Sequence, residues 1–265
     1  MVEPGQPQNG QAHSTTPFDR RSEVEALLEA DDTVLGNTWR YDRDGLSTAE
    51  MMEAEGVPSP GWISNYRSLI RVIRDGEIPT SPSGSTQAAR RVRSWLKRKQ
   101  LSPQLRVELI EQELVLTSRA ADASAVADEV EVAVAATAAA ESTQQPGIYV
   151  YTLPHYLRHP YDPDTGRTLL KVGHSAVDAH YRAESQGRLT ALPEDPILLR
   201  IYPVEESARA ERNFHSWLRD ADHSASRTRR GGSEWYLTST KFLDRVAQSM
   251  GFSITEVNSF EAGDD

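Results

Sequence analysis

The residue types able to do chemistry gather after position 147: Tyr149, Tyr151, Lys171, His174, Arg182, Glu211, His215 and Glu234. Together they match what cleavage of a phosphodiester requires: an in-line water, positive charge at the nonbridging oxygens and stabilisation of the leaving group. Arg182 can form fork-like hydrogen bonds to phosphate oxygens, or pair with Asp178 one turn earlier. Lys171 can contact a phosphate, or help deprotonate a water if burial lowers its pKa. His174 is an alternative base, with an exposed, solubilising histidine as its plainer account. Tyr149 and Tyr151 share one face of a strand, with Val150 on the other. That face is either a cleft, where phenols touch a substrate, or core, where each phenol needs a buried partner. Glu211 and His215 are four apart and share a helix face, although Arg209 and Arg212 allow Glu211 a simple surface ion pair. Six of the seven histidines follow residue 150, yet no HExxH spacing occurs. The absence of cysteine excludes disulfides, zinc-thiolate sites, Fe–S clusters and a thiol nucleophile.

These side chains need a scaffold. Ile148 to Leu153 is aromatic and β-branched, hence a strand, and LLKVGHS is a second, reached through a polar excursion containing DPDTG. VDAHYRAESQGRLTAL reads as a helix and ILLRIYPV as a third strand. Glu205 to Leu218 is a helix with an inner stripe of Ala208, Phe214 and Leu218. The loop SASRTRRGGS places Arg229 and Arg230 where they could touch a phosphate backbone. It leads into EWYLTS and a last helix, KFLDRVAQSMGF. The order β-β-α-β-α-α predicts an α+β fold, a small antiparallel sheet flanked by helices.

GIYVYTL followed by LLKVGHS resembles the paired motifs of the GIY-YIG nuclease superfamily. The chain is most similar to the subgroup with a Lys-hydrophobic-Gly second motif, a Glu-x-x-x-His helix and a Glu-Trp-aromatic end, here KVG, ERNFH and EWY. The resemblance runs from Gly147 to Phe252. It implies endonucleolytic hydrolysis of DNA, with Glu211 holding Mg²⁺ (or Mn²⁺) whose other positions go to water and phosphate oxygen. It implies Arg182 as the helix arginine, Tyr149 or Tyr151 as the family tyrosine (the register is ambiguous by two residues, with Tyr149 favoured because it completes GIY), and Glu234 as the late polar residue. His215 would complete the site or orient Glu211. Lys171 stands where many members carry the tyrosine assigned to activating the nucleophile, so the base is open between Lys171 and His174. That departure also leaves a second reading: a DNA-binding or regulatory protein whose nuclease-like domain has lost catalysis.

The remaining length divides by composition. Residues 1–20 are polar and read as a disordered tail, and 21–116 as an all-α module. The net charge is −10, but between Trp62 and Val107 ten basic residues face only Asp75 and Glu77. The imbalance suggests a polyanion-binding surface built from Arg67, Arg71, Arg74, Arg90, Arg91, Arg93, Lys97, Arg98 and Lys99. Helix, turn, then a helix carrying Arg67, Arg71 and Arg74 resembles a helix-turn-helix in outline; a solvated face on an ordinary bundle is the alternative. Ser22, with Glu25, would cap a first helix, and Ser47 or Thr48 a second that ends at Gly56. Residues 117–146 are Ala-rich and acidic with nothing large to bury, and read as a linker between a helical module and residues 147–252. Residues 253–265 read as an acidic tail. No apolar run is long enough to span a bilayer, and the first residues lack the pattern of a secretory signal, so a cytoplasmic protein with DNA as partner and no membrane contact is expected. One small site nicks one strand, so a homodimer is one route to double-strand cleavage.

Overall fold

The computed structural model of the chain describes residues 18–175, 194–223 and 234–260. Six helices open it: α1 (Arg20–Glu29), α2 (Val34–Arg43), α3 (Thr48–Glu55), α4 (Pro60–Asp75), α5 (Pro82–Arg98) and α6 (Pro103–Ala120). Their ends follow local chemistry. Ser47 and Glu50 close a capping box at the start of α3. Proline fills the first turn of α4, α5 and α6, where no amide hydrogen bond is lost. Gly56 and Gly76 end α3 and α4 with φ of 60° and 75°, which glycine alone adopts without strain. The cap of α1 is Asp19, not Ser22; its carboxylate accepts the Arg21 amide, so the helix starts earlier than the capping-box pattern predicts. In α4, Trp62, Ile63, Tyr66, Leu69, Ile70, Val72 and Ile73 are all buried, making it the spine of the bundle.

The Ala-rich stretch is not a spacer. It forms α7 (Ala123–Glu141), which buries Ala133, Thr137 and Glu141. Small residues let this helix approach closely, and Thr137 Oγ1 accepts the Leu198 amide at 3.0 Å. Asn258 stitches the same contact, its amide donating to Leu198 O at 2.8 Å and to Ala133 O at 3.3 Å.

Five strands follow: β1 (Gly147–Thr152), β2 (Thr168–Ser175), β3 (Ile197–Pro203), β4 (Trp235–Thr238) and β5 (Thr255–Glu256). They form one antiparallel sheet in the order β4-β2-β1-β3-β5. With the short α8 (Pro154–Arg158), α9 (Ser207–Asp220) and α10 (Thr240–Ser249), this is the α+β architecture expected. EWYLTS supplies an edge strand, and the supposed tail contributes β5 together with buried Asn258 and Phe260. The stripe of α9 that meets the sheet is Ser207, Ala210, Phe214 and Leu218; Ala208 points outward. The helix expected over VDAHYRAESQGRLTAL lies outside the described residues.

One sheet face carries Ile148, Val150, Leu170, Val172, Leu199, Tyr202 and Tyr236 against α9 and α10. The other carries Tyr149, Tyr151, Leu198 and Ile201, with Ala140 of α7 beside them. A bulge in the β1–β3 pairing, between Val150 and Tyr151, lets two consecutive β3 residues, Leu199 and Arg200, serve the first face. Arg200 thereby reaches Asp244 of α10 at 3.4 Å in full burial. Asp244 also accepts the Tyr202 hydroxyl at 2.8 Å and, from α4, the Trp62 indole N–H at 3.2 Å. Lys241 donates to the Tyr66 hydroxyl at 3.0 Å. Bundle and sheet are thus joined through a buried polar network.

Candidate active site between β2 and α9

Strand β4 pairs with β2 only as far as Lys171, plus one bond from the Val172 amide to Glu234 O at 2.9 Å. Beyond that point, among the described residues, β2 has no neighbour on this side. Into the opening reach side chains from three elements. Lys171 of β2 lies 3.3 Å from the Glu234 carboxylate, which stands one residue before β4. His174 Nε2 lies 3.4 Å from Glu211 Oε2 on α9. Gly173, between them, has no side chain; a Cβ there would sit 4.0 Å from both Glu211 Oε1 and Glu234 Oε2. Two carboxylates therefore look onto one small space that glycine leaves open.

The helix α9 is fastened on both sides of that space. His215 Nε2 meets Val172 O at 3.0 Å, and its ring packs on Tyr236. His215, expected to complete the site or to orient Glu211, makes its ring-nitrogen contact with the strand backbone and so ties α9 to β2. The contact with Glu211 is made by His174. At the other end Ser207 Oγ lies 3.1 Å from His174 Nδ1. Ser207 carries no signal by itself, but Ser207, Glu211 and His215 follow one another at intervals of four and so share a face. Burial raises the pKa of the Tyr236 phenol next to this cluster. Trp235 meets Tyr156 edge-to-face, so the Glu-Trp-Tyr end serves packing at both rings.

Tyr149 and Tyr151 share a face, as their spacing requires, and their backbones pair with Gly173 and Lys171. Their phenols are engaged elsewhere. Tyr149 donates to Gln145 O, and Tyr151 to the Glu141 carboxylate at 2.8 Å. The face is core here, and both phenols have the buried partners that core demands. Burial, with the Glu141 charge adding to it, pushes the Tyr149 pKa up to about 12 and that of Tyr151 further upward. Arg182, Arg229 and Arg230 lie outside the described residues.

The structure changes the meaning of the basic stretch. Arg67 grips Asp42 with both ends of its guanidinium, at 2.7 and 2.9 Å. Arg71 pairs with Glu77 at 3.0 Å and Arg74 with Asp75 at 2.7 Å. Arg93 meets Glu113; Lys97 meets Asp164 and Lys99 meets Asp31, both at 2.7 Å. Arg90 is buried beside Gly166, and the Nε of Arg91 is buried without a hydrogen-bond partner. Arg98 is exposed and makes no ion pair among the described residues. Counting along the chain missed this because the acidic partners Asp31, Asp42, Glu113 and Asp164 lie far away in sequence. Helix α4 is also enclosed by α1, α2, α3 and α5, which leaves only its arginine-bearing edge for a partner.

A hard divalent cation suits the space over Gly173. Its protein donors are carboxylate oxygens, and Mg²⁺ commonly takes one or two of these and completes its shell with water and phosphate. Among the described residues no group of three His, Asp or Glu side chains is arranged to enclose a metal, so the fit is to an open, carboxylate-anchored site. No helix among the described residues is long and apolar enough to cross a membrane.

Residues 147–251 match the family model of the T5orf172 domain, a recognised nuclease-like domain related to the GIY-YIG and HNH endonuclease class. The match contains β1, β2, β3, α9, β4 and α10, and with them every residue of the cluster around Gly173. No curated protein and no solved structure matches the chain.

Proposed function

We propose that the chain is a metal-dependent endonuclease that hydrolyses phosphodiester bonds in DNA at a GIY-YIG-type site. The observation that carries this is the pair of carboxylates, Glu211 and Glu234, each 4.0 Å from where a Cβ on Gly173 would sit, with Lys171 and His174 beside them among the described residues. A bound Mg²⁺ or Mn²⁺ would be held by Glu211 and would supply charge stabilisation at the phosphate. Lys171 would contact a phosphate oxygen; its ion pair with Glu234 at 3.3 Å supports that reading by keeping the ammonium beside the carboxylates. His174 steadies Glu211 on one oxygen. Arg182, assigned by its place in the motif order, would add bidentate hydrogen bonds to the phosphate. From the basic helices, exposed Arg98 and Arg71 would contact the DNA backbone.

The engagement of Tyr151 with Glu141 of α7 and of Tyr149 with Gln145 just beyond it favours one second reading, a DNA-binding protein with a silent nuclease-like domain. Cleavage of supercoiled plasmid with Mg²⁺, Mn²⁺ or EDTA separates the two. Metal-dependent nicking that vanishes in Glu211→Ala supports the enzyme. Clear DNA binding without nicking, on plasmid and single-stranded substrates alike, supports the silent form.

A further inference from the structure

We infer that Ser207 is a positioning residue of this site: through His174 it sets which oxygen of Glu211 is held and which is presented. The inference rests on the reading of Glu211 as the metal-holding carboxylate. Ser207 is the first residue of α9, is 1% exposed, and lies one turn before Glu211. Its hydroxyl sits 3.1 Å from His174 Nδ1, while the opposite ring nitrogen sits 3.4 Å from Glu211 Oε2. The other carboxylate oxygen, Oε1, is the one that faces the space at Gly173. Hydroxyl, imidazole and carboxylate thus stand in line across the β2–α9 contact.

The chemistry of the three groups restricts the ring. A serine hydroxyl can donate or accept, and a neutral imidazole carries one donor and one acceptor. With the proton on Nε2, the ring donates towards Glu211 while Ser207 donates to Nδ1, and every group is satisfied. The imidazolium is satisfied too, because Ser207 then accepts. A neutral ring with its proton on Nδ1 would aim a lone pair at a carboxylate, and is the form excluded. Groups that hold a metal ligand's orientation typically change metal affinity or activity ~10–100-fold when removed. Because Ser207 is buried, it cannot itself reach a substrate, so its effect must pass through His174.

Two measurements on the full chain test this. The first reads the ¹⁵N resonances of the His174 imidazole, assigned with His174→Gln, at a pH where the ring is neutral. Protonation at Nε2 is expected; a neutral ring protonated at Nδ1 overturns the inference. The second compares the Mn²⁺ concentration giving half-maximal plasmid nicking in wild type and Ser207→Ala, with urea unfolding as a check on the fold. A rise of ~10-fold at an unchanged unfolding midpoint is expected. An unchanged Mn²⁺ requirement, with Glu211→Ala inactive, overturns the role of Ser207 and leaves the nuclease standing. Absence of nicking by the wild type overturns the nuclease, and with it the inference that rests on Glu211 as its metal-holding carboxylate.

Discussion

Replacing Asp244 by alanine tests whether bundle and sheet are one cooperative unit. Asp244, Arg200, Tyr202 and Trp62 are all 0% exposed. The substitution takes the Asp244 acceptor from the Trp62 indole N–H and the Tyr202 hydroxyl; a buried donor that loses its acceptor costs about 1–3 kcal/mol. It also removes a carboxylate from Arg200, and breaking a buried ion pair costs about 3–5 kcal/mol. Arg200 keeps Leu199 O at 3.1 Å, Asn258 O at 3.0 Å and Glu256 at 3.7 Å. These remaining partners hold the charge penalty to its lower end, and shared relaxation prevents the parts from adding in full. A loss of about 4 kcal/mol is expected, a large share of the ~5–15 kcal/mol typical of a folded protein. Urea unfolding followed by circular dichroism and tryptophan fluorescence measures it. Because Trp62 belongs to α4 and Asp244 to α10, the loss should also split the transition, with the two probes no longer coincident. Trp62→Phe, which deletes one donor and leaves the carboxylate paired, should cost far less through this network. A loss under about 1 kcal/mol with coincident probes, or equal costs for the two variants, would refute the network as the joint between the modules.

Further expectations concern the site and its surroundings. Tyr149 has a folded pKa of about 12 against about 10 unfolded, so its contribution to stability is complete below about pH 10 and is lost as pH rises towards 12. Unfolding midpoints between pH 9 and 11.5 should fall more steeply in wild type than in Tyr149→Phe, by about 2 kcal/mol in all; parallel curves would contradict the buried phenol. Gly173→Ala adds a methyl 4.0 Å from each carboxylate oxygen, an ordinary contact distance, so the fold should persist while cleavage falls ~10-fold or more through occupation of the reacting space. Full activity in that variant would move the site elsewhere. Arg98→Glu should weaken DNA binding and lower the dependence of log Kd on log salt by about 1. Arg67→Glu should instead destabilise the bundle, since Arg67 is tied to Asp42; an unchanged unfolding midpoint would contradict that assignment.

Much of this protein was readable locally. Alternation of Ile148, Tyr149, Val150 and Tyr151 set both the strand and its two faces. Ser47, one of two candidate caps, marked the start of α3, and the four-residue step from Glu211 to His215 placed both on one side of α9. Those signals arise from neighbours in sequence, where backbone geometry and capping act over a single turn. Tertiary structure decided the rest. Alanines 133 and 140 looked inert until β3 gave them a surface, and residues 255–260 looked like a tail until Arg200 and Leu198 supplied partners for Glu256 and Asn258. The basic stretch kept its composition, but four of its nine candidate residues, Arg67, Arg93, Lys97 and Lys99, are paired with carboxylates remote in sequence. Tyr149 and Tyr151 lay on the predicted face, yet α7 and its exit determined what their hydroxyls bind. Ser207 became part of the site only when α9 was laid beside β2. Ion pairs and buried hydrogen bonds depend on distance in space, and only folding brings those distances within reach.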